Sequence, residues 1–439
     1  MIAQIVKTGG EVTELQPFDS PMLDRIRERF HYVDEDPLSG PRIFLDGAAG
    51  SLRLKRAVEV LAEASRWPDA LGRPSPGSEQ ASASIERGMD SVRDFLGARN
   101  RVVMPAMSAV HAIFRVIAAA AAGGRGDNIV TTNLEHPAVF GASHQLGRQF
   151  GKQVRVAPVD AGSGRVATSA VLDLVDKRTD VVAVIHASND TGAVIDVADI
   201  AAGARTRNPD VLIIVDGVQY AAHYPVDFAQ LGADAYIFAP YKVFGIKGIG
   251  FGVLSDRLAS LPHWKLDGAP PDVWKLGSME DATYAAWASV VDYLEWLGGE
   301  LSEPADRPAA VRTAMQASAR HDEFLLDRFV HGSDALPGLA HIPGVRIRAM
   351  SDGTQDRICI SIFDFEAVET NAAVELYQQA GIGVRARNLD VHSHRVLTAL
   401  GCGPVVRIST CHYTTPAEVD MFLKATLEIA ASSAKGRRP

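Results

Sequence analysis

Two successive apolar runs of this sequence each end on a residue able to do chemistry. The run VLIIVD closes on Asp216, and a carboxylate at the end of a buried strand is costly unless a cation meets it. A protonated pyridine nitrogen would be such a cation; a cap on the following helix is the competing explanation. The next run, AYIFA, passes through Pro240 and Tyr241 to Lys242 and then into VFGIKGIGFG. Glycines there let the backbone approach a ligand closely, and a lysine whose pKa its neighbours lower could form a Schiff base. The plain alternative is a surface lysine in a glycine turn. Lys247, inside the glycine loop, is a second candidate.

Further polar groups follow other runs. DVVAVI leads to Asn189, which could bond a ring oxygen of a flat cofactor or a substrate carboxylate, or simply form an Asx-turn. NIVTT leads to His136, whose imidazole could stack on a flat ring and exchange protons near neutral pH, or be an ordinary loop histidine. MPAMSAVHAIF places Ser108 at a helix start, where free N–H groups and the helix dipole attract phosphate. No Walker or Rossmann glycine fingerprint is present, so a nucleotide is not indicated.

The elements that must position these residues are legible in the hydrophobic pattern. Short β-branched runs begin at residues 101, 128, 154, 180, 211, 235 and 251, with helical segments such as 108–123 and 197–207 between them. Continuously apolar strands alternating with helices predict an α/β fold with a mostly parallel seven-stranded sheet. An earlier helix is expected at 84–97, where Ile85, Met89, Val92 and Leu96 share one face. After about residue 300 come helical segments near 308–330, 369–380 and 416–431 with the runs VRIRA, RICISIF and VVRIST, a smaller α+β unit. We therefore expect a large domain over residues 61–300 and a small C-terminal domain over 301–439. Residues 1–60 are expected to pack with the small domain or at a dimer interface.

A chain of 439 residues exceeds one ordinary hydrophobic core, which agrees with two domains. Forty-four basic against fifty-three acidic residues disfavour nucleic acid and anionic membrane as partners. Cys359, Cys402 and Cys411 make neither a disulfide framework nor a zinc site, and no metal is expected. With no long apolar segment, a cytoplasmic protein is the expectation.

In chain order, FLDGAAGS, NLEHPAV, HASNDTG, VDGVQ, FAPYKVFGIKGIG, WKLGSMED and VVRIST resemble the successive motifs of class V aminotransferase-like enzymes, the group containing cysteine desulfurases and isopenicillin N epimerase. The resemblance covers about residues 42–430. It implies fold type I, the cofactor pyridoxal 5′-phosphate (PLP), a small amino-acid substrate, and a homodimer with shared active sites. By position, Lys242 would carry the Schiff base and move protons, Asp216 would face the ring nitrogen, and His136 would stack on the ring. Gln219 would bond the phenolic oxygen, and Asn189 that oxygen or the substrate carboxylate. Arg407 in VVRIST matches the arginine that grips the substrate's α-carboxylate, a task suited to its bidentate fork.

The phosphate positions depart from the family pattern. Ala106, Met107 and Ser108 stand where relatives have Gly-Thr-Thr, and Tyr241 stands where they have histidine. Met107, Ser108 and Tyr241 remain the phosphate-side candidates. Ser278 replaces a threonine that in relatives reaches the neighbouring subunit's phosphate. Desulfurases also carry a nucleophilic cysteine on the loop matching residues 384–395, VRARNLDVHSHR, which has none. Arg385, Arg387, His392 and His394 stand there instead, either to receive a second anionic group or as solvated charges. The expected function is a PLP-dependent enzyme acting at Cα or Cβ of a small α-amino acid, with lyase or epimerase chemistry favoured over an aminotransferase. A non-catalytic PLP-fold binding protein is the alternative of another class, and intact Lys242, Asp216, His136 and Arg407 argue against it.

Overall fold

The apolar runs form one sheet in the computed structural model, which describes residues 18–68 and 71–435. Its strand order is Val102–Ala106, Gly250–Leu254, Ala235–Phe238, Leu212–Asp216, Thr179–Ile185, Asn128–Thr132 and Gln153–Ala157. Gly250–Leu254 is antiparallel to both its neighbours, and every other pairing is parallel. Both faces are covered, which is why these strands show no polar alternation. Val182 and Val184 enter one core while Val181 and Ala183 enter the other, and Ile213 and Val215 are split from Ile214 in the same way.

The helices follow local signals. Ser108 caps Ala109–Gly123 by accepting from the His111 N–H at 3.1 Å, and Asp196 caps Val197–Arg207. The helix expected at 84–97 is Pro76–Phe95, which opens behind the Ser75 cap. Its first turns are small and polar, so they carry no apolar period to read. Ala282–Leu301 has no counterpart among the expected elements. It is buried round most of its circumference, which blurs a helical period, and it packs against both Pro76–Phe95 and Arg307–His331. A Cβ on Gly298 would stand 2.0 Å from the Ala310 carbonyl oxygen, so this crossing requires glycine.

Beyond residue 300 lies a four-stranded antiparallel sheet ordered Val345–Arg348, Ile360–Phe365, Val405–Ser409, Arg385–Arg387. Thr370–Gln379 and Pro416–Lys435 pack with it around a core of its own. Ile43–Phe44 pairs in parallel with Ile382–Gly383, and Asp46 bridges to Ser409, so residues 43–46 belong to this C-terminal assembly. Phe18, Leu23, Ile26 and Phe30 join a core shared by the large sheet and C-terminal residues, with Phe30 against Tyr413 and Arg27 paired to Glu418, and residues 1–17 lie outside the described residues. Among the described residues no helix is long and apolar enough to cross a membrane.

Candidate active site

Four parallel strands end side by side, and the segment leaving each delivers a polar group. Leu212–Asp216 ends on Asp216, Thr179–Ile185 leads to Asn189, Asn128–Thr132 leads to His136, and Ala235–Phe238 leads to Lys242. C-terminal strand ends are where open α/β sheets bind ligands. Lys242, Asp216, His136, Asn189, Gln219 and Tyr241 line one cavity, with Ile113, Ile185 and Val218 among its apolar residues. A Cβ on Gly217 would lie 2.1 Å from the Tyr236 ring, so only glycine lets the chain turn here and bring both Asp216 and Gln219 to the cavity.

Burial sets the electrostatics. Lys242 is 8% exposed, and burial, with Arg407 nearby, pushes its amine down to about 7, against a smaller pull from Asp46 and Asp216. Burial pushes Asp216 up to about 6, even though Oδ1 accepts from the Val218 N–H at 3.1 Å and Lys242 is near. The His136 ring is held down at about 4 by burial and by Lys242, and its Nδ1 accepts from the Ala138 N–H at 3.1 Å. At neutral pH it is an uncharged flat ring. The Ala48 carbonyl accepts from Gln219 Nε2 at 2.9 Å and from Lys242 Nζ.

Arg407 is 2% exposed on Val405–Ser409 and acts electrostatically on Lys242. Its Nη1 donates to the Asn189 carbonyl at 2.8 Å and its Nη2 to Asp46 Oδ1 at 2.8 Å. Ser108 and Met107 sit at the start of Ala109–Gly123, with Met107 64% exposed, and Ser278 is exposed ahead of Ala282–Leu301. None of these four lines the cavity. Lys247 is exposed, and its Nζ lies 5.5 Å from the centroid of the Tyr241 ring that also faces Lys242.

Sequence reasoning missed the carboxylates around these groups. Asp46 sits in the FLDGAAGS motif, yet its pairing with Arg407 spans 361 residues. Asp190, next to Asn189, bonds Arg387 Nε at 2.7 Å. Glu135, beside His136, is fully buried and pushed up to about 8 by desolvation, with Thr132 Oγ1 donating to it at 2.7 Å. Of the cysteines, Cys359 and Cys411 are buried and Cys402 is partly so. Burial raises all three thiols, Cys411 to about 12.

A family model for aminotransferase class-V matches residues 43–286. The chain belongs to this family. As a class V member it is a PLP-dependent enzyme of fold type I. "Probable cysteine desulfurase 1" of Mycobacterium leprae is 27% identical over 97% of this chain and 68% of its own length. "Probable cysteine desulfurase" of Mycolicibacterium paratuberculosis is 27% identical over 93% of this chain, which spans only 58% of that relative. The apo structure of a cysteine desulfurase from Thermococcus onnurineus superposes with a TM-score of 0.77 at 21% identity, covering 93% of this chain and 98% of the other. The class V cofactor fits the groups present. Asp216 is a buried carboxylate facing a cavity that also holds an amine pushed toward neutrality and an uncharged imidazole.

Proposed function

We propose that this class V enzyme acts at Cα or Cβ of a small α-amino acid, by lyase or epimerase chemistry without a persulfide. The observation that carries the reading is the Lys242 amine, held near neutrality in the cavity that Asp216 and His136 share. PLP, when bound, supplies an electron sink for breaking a bond to Cα. Lys242 would hold it, Asp216 would keep its ring nitrogen protonated, and His136 would stack on the ring. Gln219 and Asn189 would bond its phenolic oxygen, while Ser108, Met107 and Tyr241 form the phosphate side.

Arg407 would bind and orient the α-carboxylate. With its amine held at about 7, Lys242 Nζ would have a substantial free-base fraction near pH 7 and could take a proton from the substrate's Cα and return it. Two relatives named as desulfurases support lyase chemistry over transamination. The raised thiols, with Cys359 and Cys411 buried, and the cysteine-free segment 384–395 support a reading without a persulfide. Met107 and Val110 stay 64% and 45% exposed at the site's edge, which supports a homodimer that covers them and places Ser278 at the partner's phosphate.

Incubation of the PLP-loaded enzyme with each proteinogenic amino acid, following keto acid, ammonia, sulfide and chirality together, tests the reading. Release of ammonia with keto acid, or inversion at Cα, is expected. Stoichiometric amino transfer to an added keto acid would make it an aminotransferase. A cofactor absorbance band unchanged in Lys242→Ala would overturn the site itself.

A further inference from the structure

Arg385 faces Arg407 across their antiparallel strand pair, and Arg387 lies two residues on, so all three arginines share one face of the C-terminal sheet. Two carboxylates from other segments meet them. Asp46 accepts from Arg407 Nη2 at 2.8 Å and lies 3.6 Å from Arg385 Nη1, while Asp190 accepts from Arg387 Nε at 2.7 Å. Arg395 acts on Asp190 and Asp390 on Arg387 as well, so four positive charges against three negative ones leave one positive charge on this wall, enough for a single α-carboxylate.

Arg387 and Asp190 are 8% and 1% exposed, yet they share only one bond. Arg387 Nη2 and Asp190 Oδ2 are both buried without a hydrogen-bond partner. Open valences of this kind are costly and rare in folded proteins, and a donor open beside an acceptor is the complement of a particular ligand group. Neither residue lines the cofactor cavity, but the pair lies near it: Arg387 acts electrostatically on Lys242 and His136, and Asp190 follows the cavity residue Asn189, whose carbonyl Arg407 holds.

We propose that Arg387 and Asp190 form the side-chain subsite of the substrate. The subsite suits an amino acid whose side chain ends in a neutral group with an acceptor and a donor side by side, as a primary carboxamide does. The amide oxygen takes Arg387 Nη2 and the amide N–H gives to Asp190 Oδ2, with the Arg387–Asp190 bond intact. A side-chain carboxylate is repelled by Asp190 and finds the wall's one surplus charge already matched to the α-carboxylate. An alkyl side chain leaves both valences open. The inference rests on the reading of this chain as an amino-acid enzyme and narrows its substrate class.

Titration of the PLP-loaded enzyme with asparagine, glutamine, aspartate, glutamate, alanine and norvaline, by cofactor absorbance and calorimetry, tests it. One of the two amides should bind about tenfold or more tightly than its matching acid and than norvaline. In Asp190→Asn the order should turn toward the acid, since Arg387 is then uncompensated, and in Arg387→Leu the amide preference should vanish. An unchanged absorbance band before substrate is added verifies that each variant has folded. An acid or alkyl substrate that binds the unaltered enzyme as well as the amide, or an Asp190→Asn variant with the same order, overturns the subsite. If alanine binds and neither amide does, the subsite falls and the amino-acid reading stands; if no amino acid binds, both fall.

Discussion

Lys242 is a buried amine, so its protonation differs between folded and unfolded chain. Its ordinary value is 10.5 and the folded value is about 7. Between these the unfolded chain keeps a proton that the folded chain has released, so this group's contribution to stability improves as pH rises through that window. The same shift governs loading, because only the free base attacks an aldehyde. We predict that PLP uptake by the apoenzyme accelerates up to about pH 7 and then levels, as stopped-flow absorbance would show; a rise continuing toward pH 10 would mark an ordinary lysine. Asp216→Asn should retain much of the cofactor and lose roughly a hundredfold or more in turnover, since charge stabilisation of this kind is commonly worth about 3 kcal/mol. Cofactor retained with unaltered kcat would remove Asp216 from the ring nitrogen.

At the scale of elements, the turn from Asn128–Thr132 into the helix Pro137–Phe150 carries an unexpected acid. Glu135 holds its proton up to about pH 8 in the fold, against an ordinary 4.5, so stability falls as pH rises from about 4.5 to 8. Glu135→Gln keeps the bond from Thr132 and has no proton to lose. At pH 8 the variant should therefore gain about 1–3 kcal/mol over its relative stability at pH 5, measured by denaturant titration of the apoenzyme. An identical difference at both pH values would show that the carboxyl ionises freely. This element also shows what a sequence discloses. All seven strands of the large sheet were readable because burial on both faces leaves unbroken apolar runs, and Lys242, Asp216, His136 and Asn189 were findable because each follows such a run. Glu135 was not, since its burial depends on what packs over it. Asp46 and Asp190 were equally hidden, because their arginine partners lie 361 and 197 residues away. Ala282–Leu301 escaped for the opposite reason, being apolar on too many sides to show a period.

For the whole molecule, we propose that the division near residue 300 does not separate freely moving parts, since one core holds Val182 and Ile213 of the large sheet together with Ile360, Ile362 and Val405 of the C-terminal one. The helix Arg307–His331 places Val311, Ala314 and Met315 in a core of the large sheet and Leu325, Leu326 and Phe329 in the C-terminal one, a rigid strut between them. The N-terminal segment braces the site from the other side. Phe30 is 2% exposed and meets the ring of Phe244, two residues past Lys242, edge-on at 5.5 Å. Phe30→Ala should cost about 3–5 kcal/mol and also weaken PLP binding, and equilibrium dialysis beside chemical denaturation would test both; lost stability with undiminished affinity would uncouple the brace from the site. The pairing of Asp46 with Arg407 has a consequence in time as well as space. The two residues are 361 positions apart, and synthesis at about 5–20 residues per second makes roughly 20–70 s pass between their leaving the ribosome. Lys242 and Asp216 precede Arg407 by 407 − 242 = 165 and 407 − 216 = 191 residues, roughly 8–38 s at the same rate, so the cofactor-side residues are made before the arginine proposed to grip the substrate.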